Sequence, residues 1–234
     1  MTGIVNINKP IGKSSHFVVA VIRRITGIKK VGHTGTLDPL ASGVLPILIG
    51  REATKLSQKI MDGTKEYRAV LQLGASTTTQ DSEGEIVARH NVDVSLAQIK
   101  NVIGEFIGEI SQIPPMYSAV KINGQKLYKL AREGKEIERK PRKITVFSIE
   151  VLNYNKDSEQ VEIVVSCSKG TYIRTLCNDI GEKLGCGGYM ASLVRTKSSC
   201  FTIENSITLE EFEQMWNTEE YDKILIPPKT FIEE

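Results

Sequence analysis

The sequence lacks any long apolar run, which excludes proteins that cross a membrane through a hydrophobic helix. Its first ten residues lack a basic segment followed by an apolar stretch, so we expect no secretory signal peptide. Its few cysteines form no CxxC pair and match no zinc spacing, which favours reduced cysteines packed inside a cytoplasmic protein. These cysteines are Cys167, Cys177, Cys186 and Cys200.

The sequence also lacks the usual signatures of several enzyme classes. No GxxxxGK[ST] segment is present, so the glycine-rich loop at 31–43 is not a phosphate-binding P-loop. No nearby serine or cysteine suggests a triad with His33, and His16, His33 and His90 show no metal-ligand spacing. We therefore expect neither a nucleophile hydrolase nor a metal site.

Charge is distributed unevenly along the chain. The formal net charge is +2, but the segment from Glu204 to the end has nine acids against two lysines, or −7, so the remaining body carries +9. Within that body, residues 121–143 hold nine Lys or Arg against three Glu. A basic body indicates a polyanionic partner, with nucleic acid as the first candidate, although charge alone fits a solvated lysine-rich surface equally well.

Hydrophobic periodicity predicts more strands than helices. Apolar runs and period-two alternation predict strands at 3–8, 44–50, 64–74, 144–154 and 160–168. Helical spacing and capping signals predict the helices, which lie at 15–26, 51–61, 95–108, from about 173 to Gly185, and after the capping box Thr208–Glu211. Asn123-Gly124 predicts a hairpin turn. We expect one α/β (α+β) domain with a mixed, largely antiparallel central sheet flanked by helices and loops.

Three features are candidates for chemistry, and each has an ordinary structural alternative. Glycines around Asp38 would hold this carboxylate at a fixed point, although an Asp-Pro pair usually marks only a turn. Tyr172 and Arg174 would face the same side of an extended segment, or Arg174 would be a surface residue. A cation beside a buried Asp keeps the carboxylate ionised. Tyr67 shares a strand face with apolar residues, so its alternative role is core packing.

Taken together, six segments resemble the motifs of the TruB family of pseudouridine synthases, in order and without large gaps, over roughly residues 3 to 200. They are NINKPIGKSS, GHTGTLDPLASGVLPILIG, KEYRA, QIPPMYSAVKINGQKLYKLAREG, KGTYIRTL and ASLVRT. The resemblance implies an RNA-modifying isomerase that converts uridine to pseudouridine at position 55, in the T-loop of tRNA, after flipping the base out. It implies no cofactor.

The resemblance also assigns roles to residues. Asp38 maps onto the family's catalytic aspartate, and it could attack C1′, attack C6 or remove a ribose proton. Arg174 would pair with Asp38, and Tyr67 would stack on the uracil and could accept the C5 proton. Tyr172 and Leu193 would line the pocket, while His33 would fill the gap that the flipped nucleotides leave.

RNA binding is expected from a mobile basic thumb at about 113–146, whose cations would hold phosphates without reading sequence. The residues expected to bind RNA are Lys9, Lys121, Lys126, Lys129, Arg132, Arg139, Lys140 and Arg142. We expect a catalytic domain at 1–203 and an acidic extension packed on it at 204–234, with no PUA domain. The T-arm of tRNA would be the partner of a monomer that needs no other protein.

Two other functions compete with this interpretation. Guide-RNA-dependent relatives share much of the aspartate motif, but they require protein partners and normally carry the PUA domain. An RNA-binding module without chemistry would have no need for Asp38, Tyr67, Tyr172 and Arg174 together. Isomerisation of T-arm uridine by the purified protein, without added metal or cofactor, discriminates between these possibilities.

Overall fold

The computed structural model describes residues 1–122 and 124–231. In this part of the chain, the helices are α1 (Ser15–Thr26), α2 (Arg51–Lys55), α3 (Ser57–Asp62), α4 (Leu96–Gly104), α5 (Leu127–Arg132), α6 (Ile173–Lys183), α7 (Leu209–Asn217) and α8 (Tyr221–Ile224), with a 3₁₀ turn at Pro228–Phe231. The strands are β1 (Gly3–Lys9), β2 (Val31–His33), β3 (Ser42–Ile49), β4 (Lys65–Leu73), β5 (Ala75–Thr77), β6 (Ile86–Arg89), β7 (Gly108–Gln112), β8 (Lys121–Ile122), β9 (Gln125–Lys126), β10 (Arg142–Asn155), β11 (Gln160–Cys167), β12 (Gly188–Ser198) and β13 (Phe201–Thr202).

Nine of the described strands form one sheet of order β1-β3-β12-β4-β11-β10-β7, to which β2 adds at β3 and β13 adds at β12, whereas β5–β6 and β8–β9 form separate two-stranded sheets. The pairs β1–β3, β2–β3, β7–β10, β10–β11 and β12–β13 are antiparallel, whereas β3 and β12 pair in parallel. This mixed, largely antiparallel sheet with flanking helices confirms the expected fold class.

Helix α1 shows why local signals place an element accurately. The Ser14 hydroxyl accepts a hydrogen bond from the Phe17 amide at 3.1 Å and caps the first turn. Gly27 ends the helix in the left-handed conformation at φ 70°, and its amide donates to the Arg23 carbonyl at 3.0 Å. The predicted boundaries are confirmed because both caps depend on residues close in sequence.

Two predicted helices differ from those observed. The segment predicted as one helix at 51–61 is two, because the Leu56 amide bonds to the carbonyl of Ala53, three residues back, and ends α2 there. The helix predicted to reach residue 108 ends at Gly104, where the Glu105 amide bonds to the Val102 carbonyl. The chain then enters β7, which the sequence analysis had not predicted.

The described chain divides into two compact units, and each is considered by itself. The first unit comprises residues 1–67 and 193–231. Its main core joins β1, α1 and β3 with three apolar residues from the C-terminal segment, namely Leu209, Phe212 and Ile224. This burial of apolar area is the main favourable term that fixes α7 and α8 against the N-terminal elements.

The second unit comprises residues 68–192, apart from Asn123, which lies outside the described residues. Strand β11 alternates as predicted, with Val161, Ile163, Val165 and Cys167 fully buried. The β8–β9 hairpin, with Gly124 at φ 80°, occupies the position of the turn predicted at Asn123-Gly124. In the described part of the chain, no helix is both long and apolar enough to cross a membrane.

Candidate active site

The loop at residues 34–41, here called the Asp38 loop, connects β2 to β3 in the first unit. Asp38 lies near its middle and is half-buried, and its carbonyl accepts a hydrogen bond from the Ala41 amide at 3.1 Å. On either side, the Leu37 amide donates to the Ser15 hydroxyl at 2.8 Å and the Gly12 amide donates to the Pro39 carbonyl at 2.8 Å. The backbone on both sides of the carboxylate is therefore fixed.

Lys9 adds a further anchor to this loop. Its side chain is fully buried, and its ammonium group donates to the carbonyls of Pro10 at 2.8 Å, Lys13 at 2.5 Å and Pro39 at 3.4 Å. A buried ammonium that donates to several carbonyls has exchanged its water for protein oxygen atoms. This geometry contradicts the expectation that Lys9 contacts RNA phosphates, and it assigns Lys9 to holding the backbone next to Asp38.

Gly43, just after the loop, is a position where the fold requires glycine. Its φ is +101°, in a region that side chains disfavour. A Cβ atom there would lie 2.3 Å from the carbonyl oxygen of Arg195, on the neighbouring strand β12. The glycine thus permits close approach of two parallel strands beside the Asp38 loop.

His33 ends β2 immediately before the loop and is half-buried. Burial lowers its pKa to about 4, and the nearby positive groups His16 and Arg195 contribute to the decrease. The His16 ring packs edge-on against it, with 5.5 Å between the ring centroids. His33 is therefore neutral at physiological pH.

Two other predicted site residues also lie in the first unit. Tyr67 is half-buried near the start of β4, and Leu193 is 8% exposed in β12. The first unit thus contains four of the six predicted catalytic and substrate-binding residues: His33, Asp38, Tyr67 and Leu193.

The remaining two lie at the start of α6 in the second unit. Tyr172 is the extended N-cap residue, whereas Arg174 is already helical, so the expectation that both belong to one extended segment is wrong. Gln112 fixes this turn, because its side chain accepts from the Tyr172 amide at 2.8 Å and donates to the Tyr172 carbonyl at 3.1 Å. The Arg174 guanidinium carbon nevertheless lies 6.0 Å from the centroid of the Tyr172 ring.

Arg174 forms a buried ion pair that no local sequence pattern predicts. Its guanidinium contacts the Asp81 carboxylate at 3.3 Å, and the two side chains are only 6% and 2% exposed. It also donates to the Tyr117 carbonyl. The other Asp81 oxygen accepts from the Thr79 hydroxyl and from the Glu83 amide at 3.1 Å. This satisfied carboxylate fixes the position of the guanidinium.

Nothing close to Asp81 in the sequence marked it as a site residue. It lies in the segment TTTQDSEG, which reads as an ordinary polar turn, and its partner Arg174 is 93 residues away. The sequence around Asp81 does not show that this turn is buried in the folded protein. The Gln80 carbonyl accepts from the Met190 amide at 3.0 Å, and the Ser82 amide donates to the Met190 carbonyl at 3.1 Å.

The residues expected to bind phosphate, apart from Lys9, lie in the second unit. Lys121, Lys129, Arg132, Lys140 and Arg142 are exposed. Lys126 is half-buried, and it and Arg132 lie over the Tyr128 ring, at 5.6 and 5.5 Å from its centroid. Arg139 is half-buried and pairs with Glu136 at 2.8 Å. The exposed cations are therefore the stronger candidates for phosphate contacts.

Comparisons with known proteins cover nearly all of this chain. A family model described as TruB family pseudouridylate synthase (N terminal domain) matches residues 23–173, and one described as tRNA pseudouridylate synthase B C-terminal domain matches residues 174–232. A tRNA pseudouridine synthase B from Alkaliphilus oremlandii (strain OhILAs) is 56% identical over 97% of this chain and 74% of that protein. One from Clostridium tetani (strain Massachusetts / E88) is 52% identical over 97% of this chain and 76% of that protein.

Two solved structures are also similar. The chain resembles one from a Cbf5-Nop10-Gar1 complex with a TM-score of 0.76 and 35% identity, covering 97% of this chain and 60% of that one. It resembles another, from an H/ACA RNP bound to a substrate RNA containing 2'-deoxyuridine, with a TM-score of 0.72 and 32% identity, covering 97% of this chain and 59% of that one. Sequence and fold agree, and the chain belongs to the TruB family of pseudouridylate synthases.

Proposed function

We propose that this protein is a tRNA pseudouridine synthase that isomerises uridine 55 in the T-loop. The proposal is supported by the family to which the chain belongs and by relatives named tRNA pseudouridine synthase B at 56% and 52% identity. The observation that carries it is the half-buried Asp38, on a loop whose backbone is fixed on both sides of the carboxylate. A reactive group held in place needs less ordering in the transition state.

In the proposed reaction, the bond between C1′ and N1 of uridine breaks, the uracil rotates, and a new bond forms between C1′ and C5. The C5 proton is released, and N1 gains a proton. Asp38 begins this sequence by attacking C1′, by attacking C6 or by removing a ribose proton. Each route needs an ionised carboxylate at a fixed place, and the chemistry itself calls for no cofactor.

The other site residues would act on the flipped uridine and on Asp38. We assign Arg174 to keeping Asp38 ionised, a role supported by the way Asp81 fixes its guanidinium. Tyr67 would stack on the uracil and accept the C5 proton, while Tyr172 and Leu193 would line the pocket. These assignments follow the match of each residue to the family's motifs.

His33 would stabilise the RNA after the base leaves its stack. Its pKa of about 4 keeps the ring neutral at physiological pH, so it would act by stacking rather than by exchanging protons. An uncharged aromatic ring can occupy the space between bases without drawing a counterion into it. Ring shape, and not basicity, is therefore the property that we expect to matter.

The basic segment, residues 121–143, would supply phosphate contacts. Lys121, Lys129, Arg132, Lys140 and Arg142 are exposed, as this role requires, and Lys126 and Arg139 would contribute from half-buried positions. Such contacts give affinity without sequence information and weaken as salt rises. We propose that this segment grips the T-arm backbone.

We further propose that residues 1–203 are the catalytic domain and that the acidic extension from 204 packs on it. This is supported by the presence of Leu209, Phe212 and Ile224 in the same core as α1. The protein would work as a cytoplasmic monomer without a protein partner. The solved relatives of 35% and 32% identity come from multi-component assemblies, whereas the more similar relatives are named as tRNA enzymes.

The direct test uses the purified protein and a T-arm hairpin tritiated at C5 of its uridines, in buffer with EDTA. We expect tritium release equivalent to one uridine per hairpin, and release should stop when position 55 is cytidine. Release only after guide RNA and partner proteins are added would indicate the guide-dependent alternative. Hairpin binding without release would indicate an RNA-binding module.

A further inference from the structure

Among the described residues, Arg195 is the largest side chain that is almost completely buried, and it has no role in the mechanism described above. It lies in β12 and is 1% exposed. Its Nε donates to the Val44 carbonyl at 2.7 Å, and one Nη donates to the Gly35 carbonyl at 3.1 Å. Burying a guanidinium is costly unless hydrogen bonds replace its water, and here both acceptors are backbone oxygens around the Asp38 loop.

The two bonds join the ends of the segment that carries Asp38. Gly35 lies three residues before Asp38, and Val44 lies six residues after it, at the start of β3. The planar guanidinium holds its donors in a fixed geometry, so it sets the spacing between these two carbonyls. Strand pairing fixes the Arg195 backbone in turn, because Arg195 lies opposite Gly43 in the parallel β3–β12 pair.

The other anchors of the loop hold different residues, and one of them, the bond from the Thr34 amide to the Pro46 carbonyl at 3.1 Å, ties the start of the loop to β3. Ser15 bonds to the backbone of Leu37, and Lys9 and the Gly12 amide bond to the Pro39 carbonyl. The contacts from Ser15, Lys9 and Gly12 fix the residues adjacent to Asp38, whereas Arg195 links Gly35, near the start of the loop, to Val44, just beyond its end. Without Arg195, the middle would remain attached to α1 and β1 and Thr34 to β3, but Gly35 would lose the side chain that links its carbonyl to that of Val44.

We propose that Arg195 is a positioning residue, which sets the reach of Asp38 toward the target nucleotide by holding the ends of its loop. The inference rests on the proposed function. Because Arg195 is buried and donates to backbone carbonyls, it is not available to hold RNA phosphates, so its loss should lower kcat and leave KM for tRNA nearly unchanged. A displacement of about 1 Å at a reacting group can cost about 100-fold in rate.

The test compares wild type with Arg195→Met and Arg195→Lys. Arg195→Met should lower kcat by about 100-fold with KM within about threefold. Hydrogen exchange followed by mass spectrometry should show amides of residues 34–41 exchanging at least about tenfold faster. Arg195→Lys keeps the charge but lacks the planar guanidinium that holds two carbonyls at a fixed spacing. Its kcat and its loop exchange rate should therefore lie between those of Arg195→Met and wild type. If Arg195→Met does not fold, Arg195→Lys decides the question through the same two readouts.

Phe212→Leu is the control for general destabilisation. It removes packing from a fully buried position on α7 in the same unit and should leave kcat and loop exchange at wild-type values. A kcat of Arg195→Met within about threefold of wild type, or loop exchange no faster than in the control, would overturn the proposal. If wild type is inactive but Arg195→Met still speeds hydrogen exchange in residues 34–41, the proposed function is overturned. The role of Arg195 in holding the Asp38 loop would then still be supported.

Discussion

Three buried cations, two in the first unit and one in the second, hold segments that carry predicted site residues, and each is bound by a different arrangement of oxygen atoms. Lys9 and Arg195 donate to backbone carbonyls near Asp38 in the first unit. Arg174, in the second unit, contacts the carboxylate of Asp81. At the scale of single residues, bonds to protein oxygen atoms therefore set the positions of these charges.

Asp81→Asn should reveal how strongly Arg174 depends on its partner. The amide can still accept from Thr79 and Glu83, but it leaves the buried guanidinium without the charge of Asp81. Breaking a buried ion pair from one side costs about 3 kcal/mol or more, so the free energy of unfolding in urea should fall by that amount. Glu162→Gln, which breaks the exposed Arg68–Glu162 pair in the same unit, should have a far smaller effect. Equal effects of the two changes would contradict this account.

His33 should make the stability of the fold sensitive to acid. Its pKa falls from 6.5 to about 4 on folding, so the unfolded chain binds more protons between these values. Stability from this group is fully present above pH 6.5 and is lost as the pH falls toward 4. Between pH 7.5 and 4.5 the loss is about 2–3 kcal/mol for such a shift.

The check is urea unfolding of wild type and His33→Phe at the two pH values. The variant keeps an aromatic ring but cannot take up a proton, so its stability should fall less than that of wild type. His90→Gln, at an exposed histidine, should follow wild type at both pH values. A wild type and a His33→Phe variant with the same pH dependence would remove His33 as the cause.

At the scale of elements, the sequence predicts helix ends and strand alternation, because both depend on residues close together in the chain. Helix α1 begins and ends at its predicted caps, and the Thr208–Glu211 capping box opens α7. Strand β11 alternates as expected, because one of its faces is buried. These features need only a few consecutive residues and their hydrogen bonds.

The elements that were missed depend on distant partners. Residues 188–198 form β12, which pairs in parallel with β3 about 150 residues earlier, and no local pattern contains that information. The sequence around Asp81 predicts only a turn, and its burial depends on contacts with the distant residues Arg174 and Met190. Asp38, Tyr67 and Arg174 were identified through the family motifs, whereas the anchoring by Lys9, Asp81 and Arg195 required the fold.

The basic segment permits a test of RNA binding at the scale of an element. Changing the exposed Lys121, Lys129 and Lys140 together to Gln should weaken T-arm binding and flatten its salt dependence. Each lost phosphate contact should reduce the slope of log affinity against log salt by about 0.7–0.9. Fluorescence anisotropy at several salt concentrations measures this slope.

The matched control changes three exposed lysines outside the segment, Lys55, Lys100 and Lys156, to Gln. It alters net charge by the same amount, so any difference between the triple variants reports position and not total charge. The same slope for the two variants would show that residues 121–143 are only a solvated surface.

At the scale of the whole molecule, the family relationship extends over nearly the entire chain. Family models match residues 23–173 and 174–232, and the most C-terminal of the described helices contribute apolar residues to the core that contains α1. Each unit holds part of the predicted chemistry, with Asp38 in the first and Arg174 in the second.

The most direct measurement compares wild type and Asp38→Asn for tritium release and for binding of the same C5-tritiated T-arm hairpin. The amide keeps the shape of the carboxylate but loses its negative charge and nucleophilicity, so chemistry should be abolished. Binding rests on contacts elsewhere and should remain within about threefold of wild type. Release abolished with binding intact is the predicted result. Substantial turnover by Asp38→Asn would contradict the central claim that this carboxylate drives the isomerisation.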